Sequence, residues 1–306
     1  MAYPTPQVTK TTAATFIPEI WSDEVVAAYK KHLVAANLFK KMSFKGKKGD
    51  TVNIPSPTRG AASVKAASTA VTLIAATETN IPVLIDKHYE YSRFIEDIVE
   101  VQALSSLRRF YTDDAGYSLA KQIDTDMVQL GRTFNGGAAT AAYTGGYAGG
   151  DGTTAYVAGS NNQSALTDAA IRRTIQRLDD NDVPTDGRFF MIPPSARNTL
   201  MGLDRYTAMD FVGEAGNANT IRNGQIGNLY GMPVYVSSNC DTTSGSANAR
   251  VALMGHKDAA VLVEQLGIRS QTQYKQDYLS TLYTSDTIYG VKELRDSSAF
   301  ALVVPA

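Results

Sequence analysis

The sequence predicts an α+β fold. Helical and strand periodicities alternate irregularly, without the repetition of a βαβ protein. One helical pattern is unusually long, and the C-terminal stretch reads mainly as strand. The chain has 306 residues, 43% hydrophobic and 19% charged, which is enough for a sizeable core and too apolar for wholesale disorder. No internal repeat is present.

Residues 1–14, rich in Thr, Pro and Ala, read as an extended arm. Phe16-Ile17-Pro18 leads to Ser22, a candidate N-cap, with Asp23 and Glu24 in the first turn. Val25, Val26, Tyr29, Leu33 and Leu38 form a helical stripe through about Asn37. The basic group Lys40, Lys41, Lys45, Lys47 and Lys48 follows, as a solvated turn or as a contact to an acidic partner surface. Thr51-Val52-Asn53-Ile54-Pro55 alternates like a strand, and Val71 to Ile74 and Ile81 to Ile85 resume that character. Between Pro55 and Val71 the only apolar side chains are alanines and Val64. Such a hairpin has no hydrophobic face of its own to bury, and an isolated hairpin is marginal in water. It is either a floppy loop or is stabilised by lying on something else, for which another copy of the chain is a candidate.

A helix is expected over about 101–134, where Leu104, Leu107, Tyr111, Ala115, Leu119, Ile123, Met127, Leu130 and Phe134 recur at three and four residues. Its length, on the order of 50 Å, exceeds what a compact core requires. Asp113, Asp114, Lys121, Gln122, Asp124 and Asp126 are expected on its solvent face. Gly116 lowers helix propensity there by about 1 kcal/mol or marks a bend. Residues 135–162, heavy in Gly, Ala, Thr and Asn, read as a loop pinned by Tyr143, Tyr147 and Tyr156. Leu166-Thr167-Asp168 opens a second helix that ends near Asp179-Asp180-Asn181-Asp182, with Pro184 and Gly187 marking the turn. Phe189 to Ile192 is a short buried strand, Ser195 a candidate cap for a third helix, and Val234 to Val236 a further strand. Alternation at Val251 to Val263, Thr281 to Thr284 and Ile288 to Leu294 completes a strand-rich end.

Chemistry-bearing motifs are sparse. The 29 Lys+Arg nearly cancel the 30 Asp+Glu for a net charge of −1, without the basic excess of a dedicated nucleic-acid or membrane-surface binder. A single cysteine, Cys240, excludes an intrachain disulfide framework and a multi-cysteine zinc site. His32, His88 and His256 are widely spaced and begin no HExxH pair, so each is expected to be structural. No GxSxG elbow occurs. Gly46 to Thr51 fails the phosphate-loop spacing, and the paired glycines at 145–146 and 149–150 lack the strand and helix of a dinucleotide site. The acidic run at 179–182 lacks the EF-hand spacing. Cys240 would be a nucleophile only with a histidine folded beside it. No apolar run approaches the roughly 20 residues of a membrane span, and residues 1–10 do not read as a secretory signal. A soluble, non-enzymatic protein made in a reducing compartment, with no cofactor and no metal, is expected.

The order of motifs carries a resemblance. Phe16-Ile17-Pro18-Glu19-Ile20-Trp21-Ser22 is followed by Leu33-Val34-Ala35-Ala36-Asn37-Leu38, then Gly49-Asp50-Thr51-Val52-Asn53-Ile54-Pro55 and Ile85-Asp86-Lys87-His88-Tyr89-Glu90-Tyr91-Ser92. Val183-Pro184, Arg188 to Pro194, and Ile226 to Tyr235 come after the long helix. From Phe16 to the C-terminus the chain resembles the major capsid proteins of tailed bacteriophages with the Hong Kong 97-type fold, particularly those of short-tailed marine and cyanobacterial phages. The resemblance implies an N-terminal arm at 1–42 and an extended loop, a β-hairpin, at 43–88. It implies a peripheral domain at 89–164 with its spine helix at 101–134 and Gly-rich loop at 135–162, an axial domain at 165–250, and a return to the peripheral sheet at 251–306.

The implied function is a structural coat protein of the virion, assembled in the host bacterial cytoplasm as pentamers and hexamers around double-stranded DNA. The DNA contact would be weak and non-specific, since a motor packages the genome; no membrane is involved. Other implied partners are a portal protein at one vertex, a decoration protein, and a separate scaffolding protein, since only fifteen residues precede Phe16. The inter-subunit residues expected are Pro57, Thr58, Arg59 and Gly60 near the extended-loop tip, with Lys65, Lys47, Lys48, Phe16 and Trp21. Arg59 would pair with a neighbour's carboxylate. Lys65 matches no motif for a Lys–Asn isopeptide cross-link, so none is expected. An encapsulin-like compartment shell is the nearest alternative, and a hydrolase using Cys240 or a serine a remote one.

Overall fold

Three sheets organise the protein in a computed structural model that describes residues 34–57, 60–71, 73, 78–97, 106–203, 227–244 and 249–306. Residues 1–33, where the arm is expected, with Phe16, Trp21 and His32, lie outside the described residues, as do Thr58, Arg59 and residues 101–105, where the long helix is expected to start.

The first sheet has four strands. β1 (Lys40–Ser43) follows a one-turn helix, α1 (Ala35–Leu38). β2 (Thr51–Pro57) and β3 (Glu78–Leu84) form a separate two-stranded hairpin, after which β4 (Lys87–Glu96) runs along the sheet edge. The long helix α2 (Ser106–Gln129) continues as a 3-10 turn, Leu130–Arg132. β5 (Tyr147–Ala148) sits in the Gly-rich tract; α3 (Asp168–Asp180), β6 (Arg188–Ile192) and α4 (Pro194–Met201) follow. β7 (Asn228–Leu229), β8 (Met232–Val236), β9 (Ala249–His256), β10 (Ala260–Lys275), β11 (Ser280–Glu293) and β12 (Ala299–Pro305) complete the chain. The four-stranded sheet has the order β1-β10-β11-β4, and the six-stranded sheet β5-β12-β9-β6-β8-β7. Residues 251–306 are therefore divided: β9 and β12 join the sheet of β6 and β8, while β10 and β11 join that of β4.

The six-stranded sheet is covered on both faces. Phe190, Ile192, Met254, Phe300, Leu302 and Val304 pack against Ile171 and Leu178 of α3 and Leu200 of α4. On the other face Phe189, Met191, Leu253 and Ala299 meet Ile123, Met127 and Val128 of α2, with Leu262 and Tyr289 of the four-stranded sheet. Double coverage removes alternation, and β6 and β12 are accordingly near-continuous apolar runs. The alternation expected over Val251 to Val263 is corrected for the same reason, because all but two residues of that stretch, Lys257 and Asp258, are buried.

α2 departs from its expected polarity. Asp124 and Asp126, placed on a solvent face by periodicity, are buried. Asp126 Oδ2 accepts hydrogen bonds from the Tyr289 hydroxyl at 2.7 Å and the Lys87 ammonium at 3.0 Å. Asp124 accepts from Asn239 Nδ2 at 2.9 Å and from the Ala36 amide at 3.3 Å. The helix lies between layers, so its C-terminal half carries only buried and half-buried residues.

α3 is capped by Thr167, whose hydroxyl accepts from Ala170 N at 3.3 Å. Its C-terminal turn is held by buried Arg188, which donates to Asp179 Oδ1 (2.7 Å) and to the carbonyls of Val183 (2.5 Å) and Pro184 (2.9 Å). Gly187 takes φ +81° there, a conformation that glycine adopts without a Cβ penalty. Ser195 is not the cap of α4. Pro193 takes that position with Pro194 opening the helix, and Ser195 Oγ instead donates to the Pro305 carbonyl at 2.7 Å. The Gly-rich tract is a loop, pinned where the Tyr143 hydroxyl and the Arg132 fork converge on Asp241 at 2.7–3.0 Å, and where Tyr156 meets Thr243 at 2.9 Å.

On the four-stranded sheet Arg269 grips Asp286 with two bonds of 2.8 Å, and His88 Nε2 stands 3.4 Å away. The Arg269 hydrogen bonds hold the Asp286 carboxyl below the usual carboxylate range, against the opposing effect of its burial, and His88 adds to the lowering. A depressed carboxylate contributes stability that is complete above its unfolded value, near pH 4, and lost as pH falls through the folded value. Arg269→Gln is therefore expected to lower the melting temperature at pH 7, with the gap to the native protein closing below about pH 4. A gap that stays constant down to pH 2 would refute the pairing.

Candidate inter-subunit surface

The hairpin is anchored at its base and bare beyond it. Val83 and Ile85 are buried with Val261 and Val263 of β10, and Met42, Phe44, Val52 and Ile54 pack around them. Gln265 Nε2 donates to the carbonyls of Lys47 (3.1 Å) and Gly49 (3.0 Å), tying the preceding turn to β10. Among the described residues between Pro57 and Glu78, none belongs to this cluster. Val64 is 100% and Leu73 88% exposed, and Val71 is exposed with them. Val71 and Leu73 lie in irregular backbone rather than in the strand expected over Val71 to Ile74, and no described strand pairs with them; Thr72 and Ile74 lie outside the described residues.

The expected contact residues distribute along this projection. Pro57 ends β2, and Gly60 and Lys65 are exposed in the loop beyond. Lys47 and Lys48 are exposed at the base, with the Lys47 ammonium 5.4 Å from the Phe44 ring centroid. Thr58 and Arg59, like Phe16 and Trp21, lie outside the described residues.

A second exposed apolar group escaped the sequence reading. The far end of β10 and β11 carries Tyr278 and Leu279, 70% and 66% exposed, with Phe94 of β4 5.6 Å from the Tyr278 ring. Leu279 adopts φ +44°, a left-handed conformation unusual for leucine. The only signal for the strand leading there is the Ser270, Thr272, Tyr274 alternation, polar enough to pass for a loop.

Cys240 and His256 are poorly placed for catalysis. Cys240 is buried, and burial pushes its thiol up to about 12. The thiolate is the nucleophile, so Cys240 is expected to resist a disulfide reagent at pH 8 in the native protein and to react once unfolded. Rapid labelling of the native chain would contradict this. His256 donates from Nε2 to the Asp186 carbonyl (2.8 Å) and accepts at Nδ1 from the Asp258 amide (3.1 Å), so both ring nitrogens are spent on holding the turn before β10. Among the described residues no group of three or more His, Cys, Asp or Glu side chains is placed to hold a metal ion. No helix among them is long and apolar enough to cross a membrane.

The sequence of residues 93–301 matches the phage capsid protein family. The chain belongs to that family. No curated protein matches. Among solved structures, one from Mycobacterium phage Che8 is 26% identical, with a TM-score of 0.73 over 94% of this chain and 97% of the other. The capsid of cyanophage P-SCSP1u is 17% identical, with a TM-score of 0.72 over 96% and 94%. That of cyanophage Pam1 is 14% identical, with a TM-score of 0.70 over 100% and 99%. The architecture is the phage major capsid fold of Hong Kong 97 type, and the molecule is a major capsid protein of the virion, a structural subunit of a shell built from repeated copies.

Proposed function

We propose that this capsid protein assembles, without catalysing a reaction, as pentamers and hexamers of an icosahedral shell around double-stranded DNA. The observation that carries the reading is the hairpin, which is anchored only at its base and exposes Val64, Val71 and Leu73 beyond it. Bare apolar side chains on a projecting ribbon call for a second surface, and a neighbouring copy supplies one in a shell. In this reading residues 1–42 are the arm, 43–88 the extended loop, 89–164 with α2 the peripheral domain and 165–250 the axial domain. The last segment, 251–306, contributes to both sheets. Gly60, Lys65, Lys47 and Lys48, with Pro57, Thr58, Arg59, Phe16 and Trp21, contribute contacts between copies.

Assembly takes place in the host cytoplasm. A separate scaffolding protein sets curvature, a portal occupies one vertex, and a decoration protein is a further partner. The near-neutral charge of −1 suits a shell filled by a motor rather than one that gathers its genome electrostatically. Expression with and without a candidate scaffold, imaged by negative-stain electron microscopy, tests the reading. Closed shells in either sample support it, and their scaffold dependence reports on curvature control. Small monodisperse particles in both would overturn it.

A further inference from the structure

Given that the hairpin meets a neighbouring copy, as the capsid reading above has it, we infer that the prolines of β2 and β3 bar its edges from strand addition and leave the Asn53–Pro55–Asn80–Pro82 face to make the contact.

The register decides which backbone groups face outward. β2 and β3 pair antiparallel with Val52 opposite Val83, Ile54 opposite Ile81 and Ser56 opposite Thr79. At the same parity Ile85 N donates to the Asp50 carbonyl at 2.8 Å. In an antiparallel ladder, alternate pairs exchange both bonds and the pairs between them point their N–H and C=O groups away. The outward pairs are thus Asn53 with Pro82, Pro55 with Asn80, and Pro57 with Glu78. Every proline of the two strands falls at an outward position. Each removes a donor that an incoming strand would need, and Pro55 and Pro82 also place exposed rings in its path. Pro55 and Pro57 blunt the edge of β2, and Pro82 blunts that of β3.

The same parity sorts the side chains. Val52, Ile54 and Val83 turn toward the subunit core, and half-buried Ile81, opposite Ile54, shares their face. Asn53, Pro55, Glu78, Asn80, Pro82 and Leu84 occupy the opposite face, all exposed. There Asn80 Nδ2 donates to Asn53 Oδ1 at 2.9 Å, beside a groove of about 430 Å³ lined by Asn53, Pro55, Glu78, Thr79 and Asn80. Among the described residues of β2 and β3, Glu78 is the only charged side chain on this face, so a copy of the same chain meets little repulsion.

The occupant is a second copy, because the family builds shells from repeated subunits and the face is too small to work alone. Two seven-residue strands span about 23 Å by about 10 Å, on the order of 230 Å², well below the roughly 800 Å² per partner of a stable pairwise interface. Such a patch holds only when other patches close with it, as in a ring. Free subunits then stay apart, and the blunted edges keep their ribbons from zipping together at random.

Two sets of variants test this in the full chain. Asn53→Lys with Asn80→Lys charges the face while leaving the subunit fold, so its melting temperature should stay within about 2 °C of the native value. Closed shells should fall at least about tenfold in number. Leu84→Lys, on the same face, gives a second reading if the double variant melts early. Pro55→Val, Pro57→Thr and Pro82→Val together restore the outward donors. That protein should form sedimenting, thioflavin-positive material at concentrations where the native protein stays clear. Normal shells from folded face variants would overturn the docking face, and a triple variant as dispersed as the native protein would overturn the guarding role of the prolines. If the native protein builds no shells with or without scaffold, the capsid reading itself falls and takes this inference with it.

Discussion

Replacing Gly290 with alanine is expected to destabilise the subunit by about 3 kcal/mol or more and to loosen the hairpin from the sheet. A Cβ at Gly290 would stand 2.1 Å from the Leu84 carbonyl oxygen, 3.0 Å from its carbon and 3.1 Å from Ile85 Cα. These are backbone atoms at the point where the hairpin passes over β11. Neither side has room to yield. Gly290 is held opposite Val263 of β10, Tyr289 beside it pairs with Lys87 of β4, and Val83 and Ile85 are buried. The effect is steric, since no left-handed backbone is involved. Gly116→Ala supplies the control. Gly116 lies inside α2 with nothing within 4 Å of its missing Cβ, and alanine there should raise stability by up to about 1 kcal/mol. Denaturant unfolding reads both, and hydrogen exchange at Ile85 N–H, bonded to the Asp50 carbonyl, reports the hairpin base. Equal effects of the two substitutions would refute the account.

The Gly290 contact was not legible before the structure, because it joins Leu84 to a position some two hundred residues away that reads only as part of a strand. The elements themselves were more accessible. The stripe of Leu119, Ile123 and Met127 specified α2, and Phe189 to Ile192 specified a doubly covered strand, because each pattern is set by local burial. The hairpin was legible from alternation at 51–55 and 81–85, yet its intervening strand character at Val71 was illusory: β-propensity without a partner strand does not make a ladder. The distal half of β10 fails in the opposite sense. Ser270, Gln271, Thr272 and Gln273 are polar and exposed, and they are strand because β11 pairs with them, not because either face is buried. Contacts between copies are the hardest to read, since one partner is absent from any single chain. The arm and loop-tip positions proposed for them, Phe16, Trp21, Thr58 and Arg59, lie outside the described residues.

Asp126→Ala is expected to destabilise the subunit by about 2–4 kcal/mol and to abolish shells. Asp126 is 5% exposed, and it is the acceptor for both the fully buried Tyr289 hydroxyl and the Lys87 ammonium. Truncation leaves a buried hydroxyl and a largely buried cation without that carboxylate, and an orphaned polar group loses its full hydration on folding. Burial and the adjacent Asp126 charge both push the Tyr289 phenol well above its ordinary range, so it serves as a donor at any physiological pH. The penalty comes from incomplete removal, which makes a cycle decisive. Lys87→Met, Asp126→Leu and Tyr289→Phe together take away the carboxylate with its Lys87 and Tyr289 partners and fill the space with apolar groups; half-buried Gln122, whose Nε2 donates to Asp126 Oδ1 at 3.1 Å, can turn to water, so the triple variant should recover most of the loss. Recovery of stability need not restore assembly. α2 meets the six-stranded sheet through Ile123 and Met127, and the four-stranded sheet through Asp126. Apolar contacts tolerate sliding that a fixed hydrogen bond does not, so the triple variant should be stable yet form fewer or irregular shells. If Asp126→Ala unfolds at the native denaturant midpoint, or the triple variant is as unstable as the single one, the network is not what joins the two layers.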